Sequence, residues 1–265
     1  MLNRFLLRLL RKLRILKRIT VFPSLVVNGR KFRIPVINET GIAMYLSLSE
    51  AWMIHLLQQL TTHDSLVMDV GVNIGQTLIK VKAVDPSIRY IGFEPNPLCI
   101  SYLNELVRVN KFEQVEIYPV GIGPASTVMK LNLFSDDTTD SGATIVDGFR
   151  SEGSGKGSIP VPVYRYDDLD VQPGTNVRVI KIDVEGAELE VLRELTELIR
   201  RDRPFILLEV LPVYSNENEF RLNRQNQIQE WIRQADYTIF RIIKRGNNLD
   251  RIDRSPRRSR RTVPS

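Results

Sequence analysis

Acidic residues lie at the ends of four short apolar segments of the chain. Asp69, Glu94, Asp183 and Glu209 occur in the segments VMDV, IGFE, IKID and LLEV. An ionised carboxylate beside an apolar strand costs free energy unless it is paired or bound to a ligand. We therefore expect these carboxylates to bind a positively charged ligand or to remove a proton from a substrate.

The spacing of apolar residues predicts which elements position these carboxylates. After residue 65 it predicts strands that alternate with helices. Strands are predicted over 65–70, 90–93, 115–120, 177–182, 205–210 and 237–243. Helices are predicted over 75–84, 97–109, 187–200 and 220–234. This order implies an α/β fold, a mostly parallel sheet with helices on both faces. Ligands bind beyond the carboxyl ends of such strands, so the four acidic residues are expected along one edge.

The first strand-to-helix turn has the pattern D-x-G-x-x-x-G, formed by Asp69, Gly71 and Gly75. Glycine lets a ligand approach the backbone, and the first turn of a helix offers free N–H groups. Asn73 stands where a dinucleotide-binding turn has its second glycine, and an acidic residue suits a cationic ligand better than a pyrophosphate. Glu94 follows Gly71 by roughly 20 residues, the spacing at which an acid accepts ribose hydroxyls.

The motifs DVGVNIGQ (69–76), FEPNP (93–97), KIDVEGAE (181–188) and PFILLEV (204–210) resemble the FkbM-type family of S-adenosylmethionine-dependent methyltransferases. The resemblance covers about residues 65–245. It implies the Rossmann-like class I methyltransferase fold with a seven-stranded sheet, and methylation of a hydroxyl on a sugar or secondary metabolite. By the same resemblance, the methionine part of S-adenosyl-L-methionine is lined by Asp69, Gly71, Asn73 and Gly75, and its ribose is held by Glu94.

Further site residues follow from chemistry and position. Gly121 is a small residue that could admit an adenine ring at the end of the third strand. Both histidines precede the first motif, so a carboxylate must act as the base. Asp183 is the first candidate, followed by Glu185 and Glu209. A Mg²⁺ ion shared by Asp183 and Glu209 is possible but not favoured, and no metal site is predicted.

A polar connector separates two predicted strands, 127–134 and 159–166. A connector of this length in a compact domain is commonly a lid or a disordered segment. We expect a lid over 139–145, where Asp140 and Ser141 would contact the acceptor, and disorder over 151–158.

The positive charge is concentrated at the two ends of the chain. The net charge is +6 for 265 residues, but residues 1–20 hold basic residues and no acidic one, and 251–265 are rich in arginine. The intervening body is acidic, which makes a nucleic acid an unexpected partner. We expect 1–20 to form a basic amphipathic helix with Leu16 on its leucine side. That side either contacts an anionic membrane or docks on the protein's own domain. Residues 251–265 are expected to be disordered.

The domain expectations are a hairpin and helix extension over 21–64 and a catalytic domain over 65–250. A single cysteine excludes an intrachain disulfide framework and favours a reducing compartment. The expected location is therefore cytoplasmic, with peripheral attachment to the inner face of the membrane through 1–20. Three alternatives remain open: an RNA methyltransferase, a nucleotide-dependent oxidoreductase, and a membrane-tethered binding module without catalysis.

Overall fold

The computed structural model describes residues 4–135, 139–146, 155–210 and 219–254. Its helices are α1 (Arg4–Lys12), α2 (Ile42–Leu46), α3 (Trp52–Leu60), α4 (Gln76–Val84), α5 (Pro97–Asn110), α6 (Glu188–Glu194), α7 (Thr196–Asp202) and α8 (Glu219–Gln234). Its strands are β1 (Thr20–Val21), β2 (Ser24–Val27), β3 (Arg30–Arg33), β4 (Val36–Ile37), β5 (Leu66–Val70), β6 (Arg89–Phe93), β7 (Val115–Tyr118), β8 (Gly121–Ile122), β9 (Thr127–Leu133), β10 (Gly157–Tyr164), β11 (Val177–Ile182), β12 (Phe205–Leu208), β13 (Phe240–Arg245) and β14 (Asn248–Arg254).

The central sheet is parallel and has the strand order β12-β11-β5-β6-β7. Every residue of β5 is buried, as is typical of a parallel strand covered on both faces. From β5 the chain adds β6 and β7 on one side and later β11 and β12 on the other. The strand order therefore reverses between β5 and β11, the point at which open α/β sheets bind ligands.

The two faces of the sheet pack against separate apolar layers. Val67 and Val179 belong to a core shared with α3, α4, α5 and the segments before β5. Met68 and Ile180, one position further along each strand, belong to the core formed with α6, α7 and α8. This alternation is the period of two that a strand imposes, and it confirms the α/β class with helices on both faces.

The sheet has five strands, whereas the resemblance implied seven. The predicted strand over 237–243 is instead β13, which pairs antiparallel with β14. The sequence of β13, FRIIKR, places charged residues on a strand in which no residue is buried, so it cannot be covered on both faces as a central parallel strand must be. β9 and β10 pair antiparallel in a further small sheet with β8.

The segments expected to be disordered are partly ordered. β14 extends to Arg254, so the first residues of the predicted C-terminal tail form a strand, and 255–265 lie outside the described residues. Gly157 and Ser158 pair with β9 as the start of β10, whereas 151–154 lie outside the described residues. The Asn28–Gly29 turn between β2 and β3 confirms the predicted hairpin, because both residues adopt the positive φ that a tight hairpin requires.

The N-terminal segment is not one helix over 1–20. α1 ends at Lys12, Arg14 adopts a left-handed φ of 57°, and a short 3₁₀ helix follows over Ile15–Arg18. Leu16, on the leucine side of the expected helix, is fully buried in the core together with Leu7. A left-handed residue breaks the helical direction, which turns Leu16 inward.

Candidate active site

A cavity of about 290 Å³ lies at the carboxyl ends of β5, β6 and β11 and at the start of β8. It includes the point between β5 and β11 where the strand order reverses. The predicted site residues that line it are Gly71, Asn73, Glu94, Gly121, Asp140, Ser141, Asp183, Glu185 and Glu209. Asp69 and Gly75 do not line it. The structure thus brings residues from distant motifs to one site, as expected from the parallel sheet.

Gly71 occupies a position that no other residue fits. It has a φ of 90°, and a Cβ atom there would lie 1.9 Å from the carbonyl oxygen of Asp183. The backbone N–H of Asp183 in turn donates to the carbonyl of Val70 at 3.0 Å. The turn after β5 therefore passes directly against the end of β11, and the absent side chain permits that contact.

Asn73 connects this turn to two other parts of the cavity wall. It has a left-handed φ of 50°, which asparagine tolerates better than most residues. Its backbone N–H donates to Glu94 Oε2 at 2.7 Å, and its Nδ2 donates to the carbonyl oxygen of Thr139 at 3.1 Å. A glycine at this position would lose the bond to Thr139.

Glu94 is held in place by backbone donors and is only 6% exposed. Its Oε1 accepts the N–H of Asn96 at 2.8 Å, and its Oε2 accepts that of Asn73. Burial outweighs these hydrogen bonds and raises the pKa of Glu94 to about 7. Each carboxylate oxygen can accept a second hydrogen bond, so Glu94 retains acceptor capacity toward a ligand.

Asp69 lies beneath the cavity rather than on its wall. Its side chain is fully buried, and its Oδ2 accepts a hydrogen bond from Tyr90 Oη. Lys181 Nζ lies 3.4 Å from Asp69 Oδ1 and 3.1 Å from Asp183 Oδ2. Burial lowers the pKa of Lys181, but the two carboxylates outweigh this effect and raise it above its usual range. A direct contact of Asp69 with a cofactor stays a prediction, and the structure adds that Asp69 anchors the cation next to Asp183.

Lys181, Lys80 and Glu50 were missed by the sequence argument. Lys80 belongs to α4, lines the cavity and is only 1% exposed. Its Nζ lies 3.8 Å from Glu50 Oε2, and burial lowers its pKa to about 8. Lys80 could have been identified from the sequence, because it lies one turn after Gln76 in the largely apolar segment TLIKVKAV. Lys181 is the first residue of the motif KIDVEGAE, but no role was predicted for it.

Glu209 and Glu185 complete the rim next to Asp183. Burial raises the pKa of Glu209, and the negative charges of Asp183 and Glu50 raise it further. Glu185 has a left-handed φ of 51° in the turn after β11. Among the described residues of the lining, carboxylates outnumber the two lysines, Lys80 and Lys181, so the cavity favours a ligand with positive charge.

Four residues of the expected lid over 139–145 line one side of the cavity, namely Asp140, Ser141, Ala143 and Ile145. The carboxylate of Asp140 accepts backbone N–H groups of Phe134, Ser135 and Gly142. Asp140 therefore stabilises the conformation of this segment. Backbone hydrogen bonds exchanged between Asn132 and Thr144 join the segment to β9. Contact of Asp140 and Ser141 with an acceptor stays a prediction.

In residues 4–135, 139–146, 155–210 and 219–254 no group of three or more histidine, cysteine, aspartate or glutamate residues is arranged to hold a metal ion. Within the same ranges, no helix combines the length and apolar character needed to cross a bilayer.

Comparison with known proteins relates this geometry to a family. A family model described as "Methyltransferase FkbM domain" matches residues 69–239, a range that contains every predicted site residue. "Methyltransferase 1" of Beauveria bassiana is 26% identical over 151 residues, which are 51% of this chain and 59% of that protein. "Hexuronic acid methyltransferase AglP" of Haloferax volcanii is 28% identical over 162 residues, 60% of this chain and 61% of that protein.

Among solved structures, the methyltransferase FkbM from Methylobacillus flagellatus KT matches with 17% identity and a TM-score of 0.48. The match covers 72% of this chain and 44% of that one. The chain spans about three fifths of the length of the two curated relatives described above.

Proposed function

Because the chain belongs to the FkbM methyltransferase family, we propose that it is an S-adenosyl-L-methionine-dependent methyltransferase. The proposed reaction is O-methylation of a hydroxyl group on a sugar, glycan or secondary metabolite. The observation that carries the proposal is the shared cavity, in which Gly71, Glu94 and Asp183 meet where the strand order reverses.

The residues present fit the cofactor. Gly71 and Asn73 line the cavity in the turn that precedes α4. Acidic side chains outnumber basic ones among the described lining residues, which suits a sulfonium group. Glu94, whose oxygens keep acceptor capacity, would hold the ribose hydroxyls. When bound, S-adenosyl-L-methionine supplies an electrophilic methyl group.

The protein's own residues would align the acceptor and take its proton. A neutral hydroxyl is a poor nucleophile, so a base next to it helps the transfer. Lys181 holds Asp183 Oδ2 in place, and the proton from the acceptor hydroxyl would pass to the other oxygen of Asp183. Glu209 and Glu185, on the same rim, are the next candidates.

The acidic lining also bears on the acceptor. An anionic acceptor would meet the carboxylates of Glu94, Asp183, Glu185 and Glu209 in one cavity, and like charges brought together destabilise a complex. A neutral hydroxyl avoids this cost. AglP is described as acting on a hexuronic acid, which carries a carboxylate. The acidic lining of this chain instead supports a neutral saccharide or metabolite hydroxyl as the acceptor group.

Calorimetry with S-adenosyl-L-methionine, S-adenosyl-L-homocysteine and NAD tests the cofactor. We expect binding of the first two, and tight NAD binding without them would instead identify an oxidoreductase. A panel of saccharides, phenolic metabolites and RNA is then incubated with the cofactor and screened by mass spectrometry for the addition of one methyl group. Methylation of RNA alone would overturn the proposed acceptor class, and cofactor binding without transfer to any acceptor would indicate a non-catalytic binding module.

A further inference from the structure

The outer surface of α1 carries an apolar strip that no part of the described chain covers. Phe5 is 77% exposed, Leu9 is 42% exposed and Leu13 is 58% exposed. Leu13 continues the helical turn, because its N–H donates to the carbonyl of Leu9 at 2.9 Å. At 3.6 residues per turn these three side chains lie on one side of the helix. We call Phe5, Leu9 and Leu13 the outer strip.

A neighbouring side of the same helix holds α1 to the protein. Leu7 is fully buried and Leu10 is partly buried against the same core. Leu16, in the 3₁₀ helix that follows, is also fully buried. Because Leu7 and Leu16 fix the segment at two points, the outer strip cannot rotate inward without removing them from the core.

The remaining side of α1 is basic. Arg4, Arg8, Arg11 and Lys12 are all exposed and lie together on the helix, adjacent to the outer strip. Arg14, Lys17 and Arg18 add positive charge directly after the helix, and residues 1–20 contain no acidic side chain. An exposed apolar strip beside an exposed basic face is the arrangement with which a helix lies in the interface of a membrane.

From this geometry we infer that α1 docks the protein on an anionic lipid bilayer. The outer strip enters the boundary between headgroups and acyl chains, and the basic side chains contact anionic headgroups. A second copy of the chain is a poor occupant, because a symmetric contact places the same surface of both subunits together. Two segments that carry only positive charge would then face each other and repel.

Co-sedimentation with vesicles tests the inference on the whole chain. The vesicles contain either phosphatidylglycerol with phosphatidylcholine or phosphatidylcholine alone. We expect binding to the anionic vesicles only, weakened at least tenfold when salt is raised to about 1 M, where screening acts within about 3 Å. The absence of binding to anionic vesicles at low salt would overturn the inference.

The apolar variant Phe5→Ser/Leu9→Ser/Leu13→Ser isolates the outer strip and leaves Leu7 and Leu16 in the core. We expect its vesicle affinity to fall at least tenfold. The matched control replaces exposed apolar residues elsewhere, Val26→Ser/Val128→Ser/Phe240→Ser, and should bind as the parent chain does. Circular dichroism and the affinity for S-adenosyl-L-homocysteine, measured without vesicles, should be unchanged in both. Equal loss in the control would contradict the inference.

The charge variant Arg8→Gln/Arg11→Gln/Lys12→Gln should lose affinity for anionic vesicles and much of the salt dependence. Its control removes exposed lysines elsewhere, Lys31→Gln/Lys111→Gln/Lys130→Gln. Light scattering tests whether a second copy of the chain occupies the outer strip instead. A dimer that the apolar variant converts to a monomer would show that it does and would overturn the inference. Vesicle binding requires no acceptor or transfer, so these results are independent of the proposed methyltransferase activity.

Discussion

Lys181 Nζ lies 3.1 Å from Asp183 Oδ2, on a cavity wall where the lysine side chain itself is only 9% exposed. The same ammonium group lies 3.4 Å from Asp69, which is fully buried. One cation therefore joins the proposed base to a carboxylate beneath the cavity. The position of Asp183 thus depends on a buried residue that does not line the cavity.

The first prediction is that Lys181→Met destabilises the protein strongly. The change leaves Asp69 buried without a counter-charge, which costs about 3–5 kcal/mol in comparable buried pairs. Chemical denaturation measures the free energy of unfolding. Lys244→Met is the matched control, since its pair with Glu50 is partly exposed and contributes about 1 kcal/mol or less.

A second variant separates the charge from lost packing. Asp69→Asn combined with Lys181→Met removes both charges, and we expect it to be more stable than Lys181→Met alone. If the double variant is equally unstable, the cost arises from the volume and contacts of the lysine and not from an unpaired carboxylate.

The second prediction concerns catalysis. Asp183→Asn should lower the rate of methyl transfer by a factor of about 10² to 10⁴, the usual contribution of a general base. The affinity for S-adenosyl-L-homocysteine, measured by calorimetry, should stay unchanged because Asp183 is proposed to act on the acceptor. Glu209→Gln is compared in the same assay. A large loss in Glu209→Gln with full turnover by Asp183→Asn would assign the base to Glu209.

The third prediction is a pH dependence of cofactor binding. With a pKa of about 7, Glu94 is protonated below that pH and then offers weaker acceptor oxygens to ribose hydroxyls. We expect the affinity for S-adenosyl-L-homocysteine to increase as pH rises through about 7, and Glu94→Gln to bind weakly at every pH. The exposed His63, whose pKa is raised by its hydrogen bond to Asp85, is the control, and His63→Gln should keep the dependence.

As pH rises, the contribution of Glu94 to the free energy of unfolding should decrease, whereas the affinity for S-adenosyl-L-homocysteine should increase. Burial raises the folded-state pKa of Glu94 from 4.5 to about 7, so the folded state holds the proton more tightly than the unfolded state. The contribution of Glu94 to the free energy of unfolding is therefore most favourable below about 4.5 and decreases as pH rises to about 7. Glu94→Gln should flatten that slope, and an unchanged slope would contradict the assignment.

The order of elements and the shared cavity could be predicted from the sequence, because they depend on local patterns. Apolar strands such as β5, followed by helices, predict a parallel sheet, and parallel strands bring their carboxyl ends to one edge. Glu94 and Asp183 therefore meet although their motifs are far apart in the chain. The expected number of strands in the central sheet was wrong, because β13 has apolar residues but none of its residues is buried, as a strand of the central sheet requires.

The depth of each side chain could not be predicted. β5 is buried on both faces, so its sequence contains no signal that places Asp69 beneath the cavity. The pair of Lys80 and Glu50 joins α4 to a turn outside every motif. Such contacts depend on tertiary packing between segments distant in sequence, which neither spacing nor periodicity encodes.

The last prediction tests the close approach of β5 and β11 at Gly71. Gly71→Ala introduces a Cβ where the backbone has a φ of 90° and where the carbonyl oxygen of Asp183 would be 1.9 Å away. Gly29→Ala is the matched control, because Gly29 has a φ of 77° with no atom within 4 Å of the added Cβ. Both variants place an alanine at a positive φ, which costs about 1–2 kcal/mol.

In Gly71→Ala, but not in Gly29→Ala, the added Cβ must also push the ends of β5 and β11 apart. Overpacking of this kind costs about a further 1–3 kcal/mol. We therefore expect a larger loss of unfolding free energy for Gly71→Ala, together with weaker binding of S-adenosyl-L-homocysteine, while Gly29→Ala keeps its affinity. Denaturation and calorimetry on the same samples give both quantities. Equal destabilisation of the two variants would mean that the turn can move away from β11, and the proposed cradle for the cofactor would then not depend on a glycine at this position.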